Sequence, residues 1–109
     1  MPTKEMVAAS TRPLLLALLR NGESYGYELI EKVRRLSGGS LEWSDGMLYP
    51  VLRRLEREGL VASRWVVADN GRRRRYYRLT PEGQEAELAG RSDWESVDRA
   101  VKAAWRTTE

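Results

Sequence analysis

Apolar residues in the first sixty positions recur at the three- and four-residue intervals of a helix. Leu15, Leu18 and Leu19 share one face, Tyr25, Leu29, Val33 and Leu36 a second, and Leu48, Leu52 and Leu55 a third. The breaks between these runs carry stop signals: Asn21-Gly22, then Ser37-Gly38-Gly39-Ser40, then Gly59. Helix starts are predicted at Ser24 and Ser44, whose hydroxyls can accept from the first free amides. Ahead of the first leucine run, Lys4 to Ala9 reads as a separate short helix. Ser10 or Thr11 would then cap a new start, with Pro13 in its first turn, where a missing N–H costs nothing.

After Gly59 the period shortens to two. Val61, Trp65 and Val67 fall on one side of LVASRWVVA, and Tyr77 and Leu79 on one side of RRRYYRL. Asp69, Asn70 and Gly71 lie between them, a strong local hairpin signal. Leu41 to Trp43 is too short for more than a one-ladder strand, and Trp43 and Trp65 read as core at the hairpin base. Thr80-Pro81 supplies the cap and first residue of a long last helix, where Trp94, Val97, Val101, Ala104 and Trp105 keep a heptad-like spacing. The pattern predicts a mainly α fold with a small β-hairpin. Residues 1–80 form a winged helix-turn-helix and residues 81–109 a C-terminal dimerisation helix, in one compact unit.

Composition narrows the chemistry. The chain of 109 residues has no cysteine and no histidine, which excludes Cys/His zinc sites and the usual general base. An enzyme is not expected, nor is a cofactor or metal. The longest apolar run, Pro13 to Leu19, is far below the ~20 residues of a membrane span, and the first ten residues lack a signal-peptide core. A cytoplasmic protein with no membrane partner is expected. Charge is divided: residues 1–80 carry 15 Lys+Arg against 9 Asp+Glu, residues 81–109 carry 4 against 7.

Much of the basic excess is one run, Arg72 to Arg75, beside the Asn-Gly turn. Such a run is solvated or faces an anion. Strand alternation sends Arg72 and Arg74 to one side and Arg73 and Arg75 to the other, with Arg75 alternatively lying along the core edge. Charges there also discourage edge pairing. Beside a helix-turn-helix, Arg72, Arg73 and Arg74 point to double-stranded DNA as partner.

The third helix adds to this. Opposite its leucines lie Gly46, Pro50, Arg53 and Arg57, with Tyr49 and Arg54 on the flanks. Gly46 would let the helix start approach a groove. Pro50 removes the N–H that would bond the Gly46 carbonyl, leaving that oxygen for water or a base, or else marks only a kinked first turn. Ser44 and the first amides, with Met47 in the same turn, make an anion-ready terminus. Arg53 and Arg54 are candidates for phosphate or guanine, and Arg57 reads as a solvated or ion-paired end residue. Tyr25 and Tyr27 flank the second helix start, one suited to the core and the other to a phosphate. A winged helix serving protein interaction would be favoured by an acidic patch on this face, which is basic instead.

Three segments, LLALLRNGESYGYELIEKV, SGGSLEWSDGMLYPVLRRLEREGLV and RRRRYYRLTPEG, together resemble the PadR family of bacterial transcriptional regulators over roughly residues 11–83. The resemblance implies a homodimeric winged-helix repressor that releases operator DNA when a small molecule binds. A single terminal helix is similar to the compact subfamily that includes a multidrug sensor, in which a tryptophan and its symmetry mate sandwich flat aromatic compounds. Trp94 matches that tryptophan and Asp98, four residues on, an acid lining the pocket. This implies a planar aromatic inducer. The dimer is expected from the N-terminal and C-terminal helices, the latter through its heptad-like stripe at Val97, Val101, Ala104 and Trp105. Gly90, read as interrupting the helix, together with Trp105 and the acidic end, departs from the pattern.

Overall fold

Four helices and a three-stranded antiparallel sheet make up the computed structural model, which describes residues 2–107. In chain order they are α1 (Lys4–Arg20), β1 (Ser24–Tyr25), α2 (Gly26–Leu36), α3 (Asp45–Arg57), β2 (Val61–Val67), β3 (Arg73–Leu79) and α4 (Pro81–Thr107). The sheet order is β1-β3-β2, so the hairpin strand β3 is central. Ser24 pairs with Tyr77, and β2 runs from Val61 opposite Leu79 to Val67 opposite Arg73. This is a winged helix-turn-helix, with α2 and α3 as the helix pair and β2–β3 as the wing.

The three apolar stripes converge. Leu15 and Leu19 of α1, Leu29 and Val33 of α2, and Leu48, Leu52 and Leu55 of α3 are buried together with Trp43, Val61, Tyr77 and Leu79. Each fully buried leucine contributes roughly 1.5–3 kcal/mol, so the three helices hold each other. Leu36, at the end of the α2 stripe, is 70% exposed and takes no part.

Four local expectations are corrected. First, α1 is one helix, capped by Thr3, whose hydroxyl accepts from the Met6 N–H at 3.2 Å. Ser10 and Thr11 do not cap; their hydroxyls donate back to the Val7 carbonyl at 3.0 and 2.7 Å, inside the helix. Pro13 is accommodated within α1 because the buried leucines that follow hold the chain helical. Second, Ser24 is a strand residue with its hydroxyl donating to Glu28, and Tyr25 is the α2 N-cap, without a side-chain bond. Pairing with Tyr77 holds Ser24 extended and fully buried. Third, no strand forms at Leu41–Trp43, although Trp43 is buried as expected. Fourth, Trp65 is 55% exposed rather than core, because no helix covers the outer half of the wing.

The wing turn forms where predicted. The Ala68 N–H donates to the Arg72 carbonyl at 2.7 Å, the Arg72 N–H donates to Asn70 Oδ1 at 3.0 Å, and Gly71 takes φ 80°. The Thr80-Pro81 junction docks α4. Thr80 Oγ1 donates to the Gly59 carbonyl at 2.6 Å and accepts the Gly83 N–H at 3.0 Å. Gly83 sits so close to the preceding loop that a Cβ would lie 1.9 Å from the Leu60 carbonyl oxygen. Further on, buried Glu87 accepts from Arg20 of α1 at 2.7 Å and from Arg91 at 3.0 Å. α4 continues through Gly90 without a break. A mid-helix glycine costs only about 1 kcal/mol, which its neighbours offset.

Candidate nucleic-acid interface

The Ser44 hydroxyl accepts from the Met47 N–H at 3.3 Å, so α3 starts where its sequence places the cap. With its leucines turned inward, α3 presents Gly46, Pro50, Arg53, Arg54 and Arg57 to solvent. Met47 is half-buried against the core and Tyr49 half-buried beside α2. The Tyr49 ring lies over Gly26 at the α2 start, where a Cβ would stand 2.2 Å from the tyrosine hydroxyl oxygen.

Between α3, the α2 start and the wing lies a groove of 660 Å³. It brings together seven of the residues expected to face DNA: Tyr25, Tyr27, Tyr49, Arg53, Arg72, Arg73 and Arg74. Ser44, Gly46, Met47, Pro50 and Arg54 lie outside its wall, along the first turns and flank of α3. Gly26, Trp65, Arg75 and Tyr77 also line it and were not foreseen there. For Gly26 the available signal was a glycine between two tyrosines at a helix start. For Trp65 there was none beyond its place on the wing.

The wing arginines alternate as strand geometry requires. Arg74 stacks on Tyr25 at 4.5 Å from the ring centroid, and Tyr25 meets Tyr76 edge-on at 5.2 Å. On the other face, Arg73 and Arg75 lie over Trp65 at 4.6 and 5.7 Å. Arg75 also reaches Ser63 Oγ at 2.9 Å and Glu56 of α3 at 3.2 Å, so it lies along the core edge. Burial pushes the Tyr77 hydroxyl above its ordinary range, against the charge of Arg75. Tyr27 is 65% exposed beside them. Elsewhere, Arg64 is paired with Glu23 and Arg12 with Glu58, and the hydrogen bonds hold both carboxyls below their usual range.

The residues expected to form a dimer and a ligand pocket lie on α4, away from this face. Val97, Val101, Ala104 and Trp105 are all exposed. Trp94 lines a second groove, of 490 Å³, between α1 and α4, with Met6, Pro13 and Leu14 on its other side. Asp98 is not on that wall and pairs with Lys102 at 2.9 Å. Among the described residues there is no group of His, Cys, Asp and Glu able to hold a metal, and no helix long and apolar enough to cross a membrane.

Helix-turn-helix, basic wing and cationic groove define a winged-helix protein of the nucleic-acid-binding kind. The model of the transcriptional regulator PadR-like family matches residues 15–89, and the chain belongs to that family. It is similar to transcriptional regulator Rv3488 of Mycobacterium tuberculosis, 38% identical over 90% of this chain and 88% of the relative. Among solved structures, a transcriptional regulator from Clostridium thermocellum is 27% identical with a TM-score of 0.84, covering 94% of this chain and 97% of that one. A PadR-like regulator from Bacillus cereus is 27% identical with a TM-score of 0.80, covering 93% and 96%. Family membership makes the chain a transcriptional regulator, a DNA-binding protein and not an enzyme.

Proposed function

We propose that the chain acts in the cytoplasm as a homodimeric, ligand-responsive repressor on a pseudo-palindromic operator. Residues 1–80 bind DNA and residues 81–109 join the subunits. The observation that carries this reading is the meeting of Arg53 with Arg72, Arg73 and Arg74 on one aromatic-floored groove. α3 enters the major groove with its N-terminal turns foremost. There Gly46 and Pro50 permit close approach, Ser44 and Met47 face phosphate at the helix start, and Arg53 and Arg54 reach bases or phosphate. Tyr25, Tyr27 and Tyr49 flank the helix, and the wing straddles the neighbouring backbone or minor groove.

The exposed stripe of α4 supports the dimer. Pairing through Val97, Val101, Ala104 and Trp105 sets two α3 helices to read half-sites about 34–36 Å apart. Trp94 and its symmetry mate then form two aromatic walls about 7 Å apart, enough for one planar ring system stacked on both faces, with Asp98 nearby. A guest there alters the angle between subunits and with it the half-site spacing, which couples ligand binding to DNA release.

Fluorescence anisotropy with operator and random duplexes across a salt series tests the DNA-binding surface. Changing Arg72, Arg73 and Arg74 to Ala should weaken both complexes and flatten the plot of log K against log salt by about 0.9 for each phosphate no longer neutralised. Arg53→Ala should reduce the operator-to-random ratio by about 1–3 kcal/mol. An unchanged slope in the first variant removes the wing from the interface. Equal losses on both duplexes in the second make Arg53 a phosphate anchor.

A further inference from the structure

Arginines in this molecule are held in two ways. Carboxylates hold Arg12, Arg20, Arg34, Arg64, Arg75 and Arg91, and their charges are offset within the chain. Aromatic rings hold Arg73 and Arg74. The difference is chemical. A carboxylate fixes a guanidinium and cancels its charge, whereas a ring face fixes it through the quadrupole and leaves the full charge for an incoming anion.

Trp65 is the ring that links the two kinds. Glu56 of α3 accepts from Ser63 Oγ at 2.6 Å and from Arg75 at 3.2 Å. Arg75 is the direct cross-strand partner of Trp65, and Arg73 lies two residues further toward the wing tip. The chain of contacts therefore runs from the recognition helix through an anchored arginine and an indole to a charged arginine near the tip. Trp65 keeps over half its surface exposed on the groove wall, which no packing requirement of the core explains.

We infer that Trp65 is a positioning residue of the DNA interface: its indole orders Arg73, and through Arg75 and Glu56 ties that charge to the frame of α3. This rests on the DNA-binding reading of the groove. Ordering Arg73 in the free protein removes conformational entropy that binding would otherwise cost. Phosphate then meets a charge already fixed relative to the helix that reads the bases.

The experiment compares Trp65→Leu and Trp65→Phe with the parent chain. Trp65 lies on the uncovered half of the wing, so thermal unfolding should confirm that both variants fold. Leucine keeps apolar bulk and removes the ring; phenylalanine keeps a ring. Trp65→Leu should weaken operator and random duplex alike by about three- to tenfold, the effect of one or two exposed cation–π pairs. The salt slope should stay that of the parent, because every arginine is still present. Trp65→Phe should recover most of the affinity. In the DNA-free protein, the 15N order parameter of the Arg73 Nε–H group should fall in the leucine variant and persist in the phenylalanine variant.

Parent-like binding by Trp65→Leu, or equal weakening in both variants, overturns the inference. So does weakening accompanied by a shallower salt slope, since that marks arginines moved off their phosphates rather than one less ordered. A parent chain that binds no duplex while Arg73 stays ordered overturns the DNA-binding reading itself, which separates the two failures.

Discussion

The two halves of α4 have the same helical backbone and opposite surroundings. Over Pro81–Arg91 the helix lies against the body of the chain: Gly83 touches the Leu60 carbonyl, and Glu87 is buried between two arginines. Over residues 92–107 every position except Ala103 is exposed, tryptophans and valines included. That second half is sixteen residues long, or about 24 Å of helix, and the chain as a whole is 58 Å long but only 29 by 20 Å across. The apolar spacing belongs to the second half, whereas the first is buried at Gly83 and Glu87 and leaves its one large apolar side chain, Leu88, half-exposed. A stripe of this size on a projecting helix calls for cover by another molecule, which is why the proposed dimer is placed on the second half.

The strongest way to break this contrast is to put charge on the open half. Changing Val97 and Val101 together to Glu leaves the winged-helix body intact, since both side chains are already exposed. In a dimer seam those carboxylates would cost several kcal/mol. Sedimentation should show monomers with a parent-like circular dichroism spectrum, and operator affinity should drop at least about 100-fold because the half-sites are no longer linked. A variant that stays a tight dimer would move the seam to another surface, α1 first.

On the closed half, the corresponding change is Gly83→Ala. Its Cβ would stand 1.9 Å from a backbone oxygen that already accepts the Thr80 N–H. Backbone cannot swing aside, so the cost should be about 3 kcal/mol, read by chemical denaturation. Gly26→Ala meets the free end of the Tyr49 side chain instead and should cost about 1 kcal/mol, because the ring can rotate away. Equal costs for the two would mean that α4 tolerates a shift at its docking point.

The same contrast explains what could be read from the sequence. The α3 leucines, the Asn-Gly hairpin and the Thr80-Pro81 start are local signals, each fixed by residues within one or two turns. Ser10, Thr11 and Ser24 carry the right chemistry for caps, but a hydroxyl bonding backward to a carbonyl uses the same residue types as one bonding forward to an amide. The strand β1 has two residues and exists only because Tyr76 and Tyr77 lie beside it, a pairing that no local pattern encodes. Alternation correctly put Trp65 and Tyr77 on inward-reading positions of the wing, yet only Tyr77 has helices over it. The groove residues Tyr25, Tyr27, Arg53 and Arg72 to Arg74 were legible as chemistry. Their convergence, and the part of Trp65 in it, came from the topology.

A sharper test of the open half uses its tryptophans. Trp94 faces the α1–α4 groove, whereas Trp105 lies near the far end of the helix. Titration with a planar dye of the acridine or bisbenzimide type should quench tryptophan emission. Trp94→Ala should weaken dye binding by about tenfold, the effect of removing a stacking wall, and Trp105→Ala should leave it close to the parent. Equal binding by Trp94→Ala and the parent, or no binding of any aromatic dye, would make Trp94 part of the dimer core alone.

A comparably small effect is expected at the border between the halves, at Glu87. Burial resists its ionisation, but hydrogen bonds and charges from Arg20 and Arg91 prevail and hold the carboxyl below its usual range. A carboxyl depressed in the folded chain stabilises the fold above the ordinary carboxylate range, and that contribution is lost as pH falls through the depressed value. Glu23 and Glu58 are depressed as well, but both lie at exposed ion pairs, so salt should screen them while Glu87 persists. Thermal unfolding in 0.5 M salt (about a 4 Å screening length) should therefore isolate the buried group. Glu87→Gln should cost about 1–2 kcal/mol at neutral pH, and its melting temperature should fall less than that of the parent on acidification. Half-exposed Arg20 and Arg91 can turn to water once released, which keeps the cost small. If variant and parent melt together at neutral pH and at low pH, the Glu87 ion pairs contribute nothing to holding α4 on the body, and its packing against α1 with the Gly83 contact and the Thr80 junction suffices.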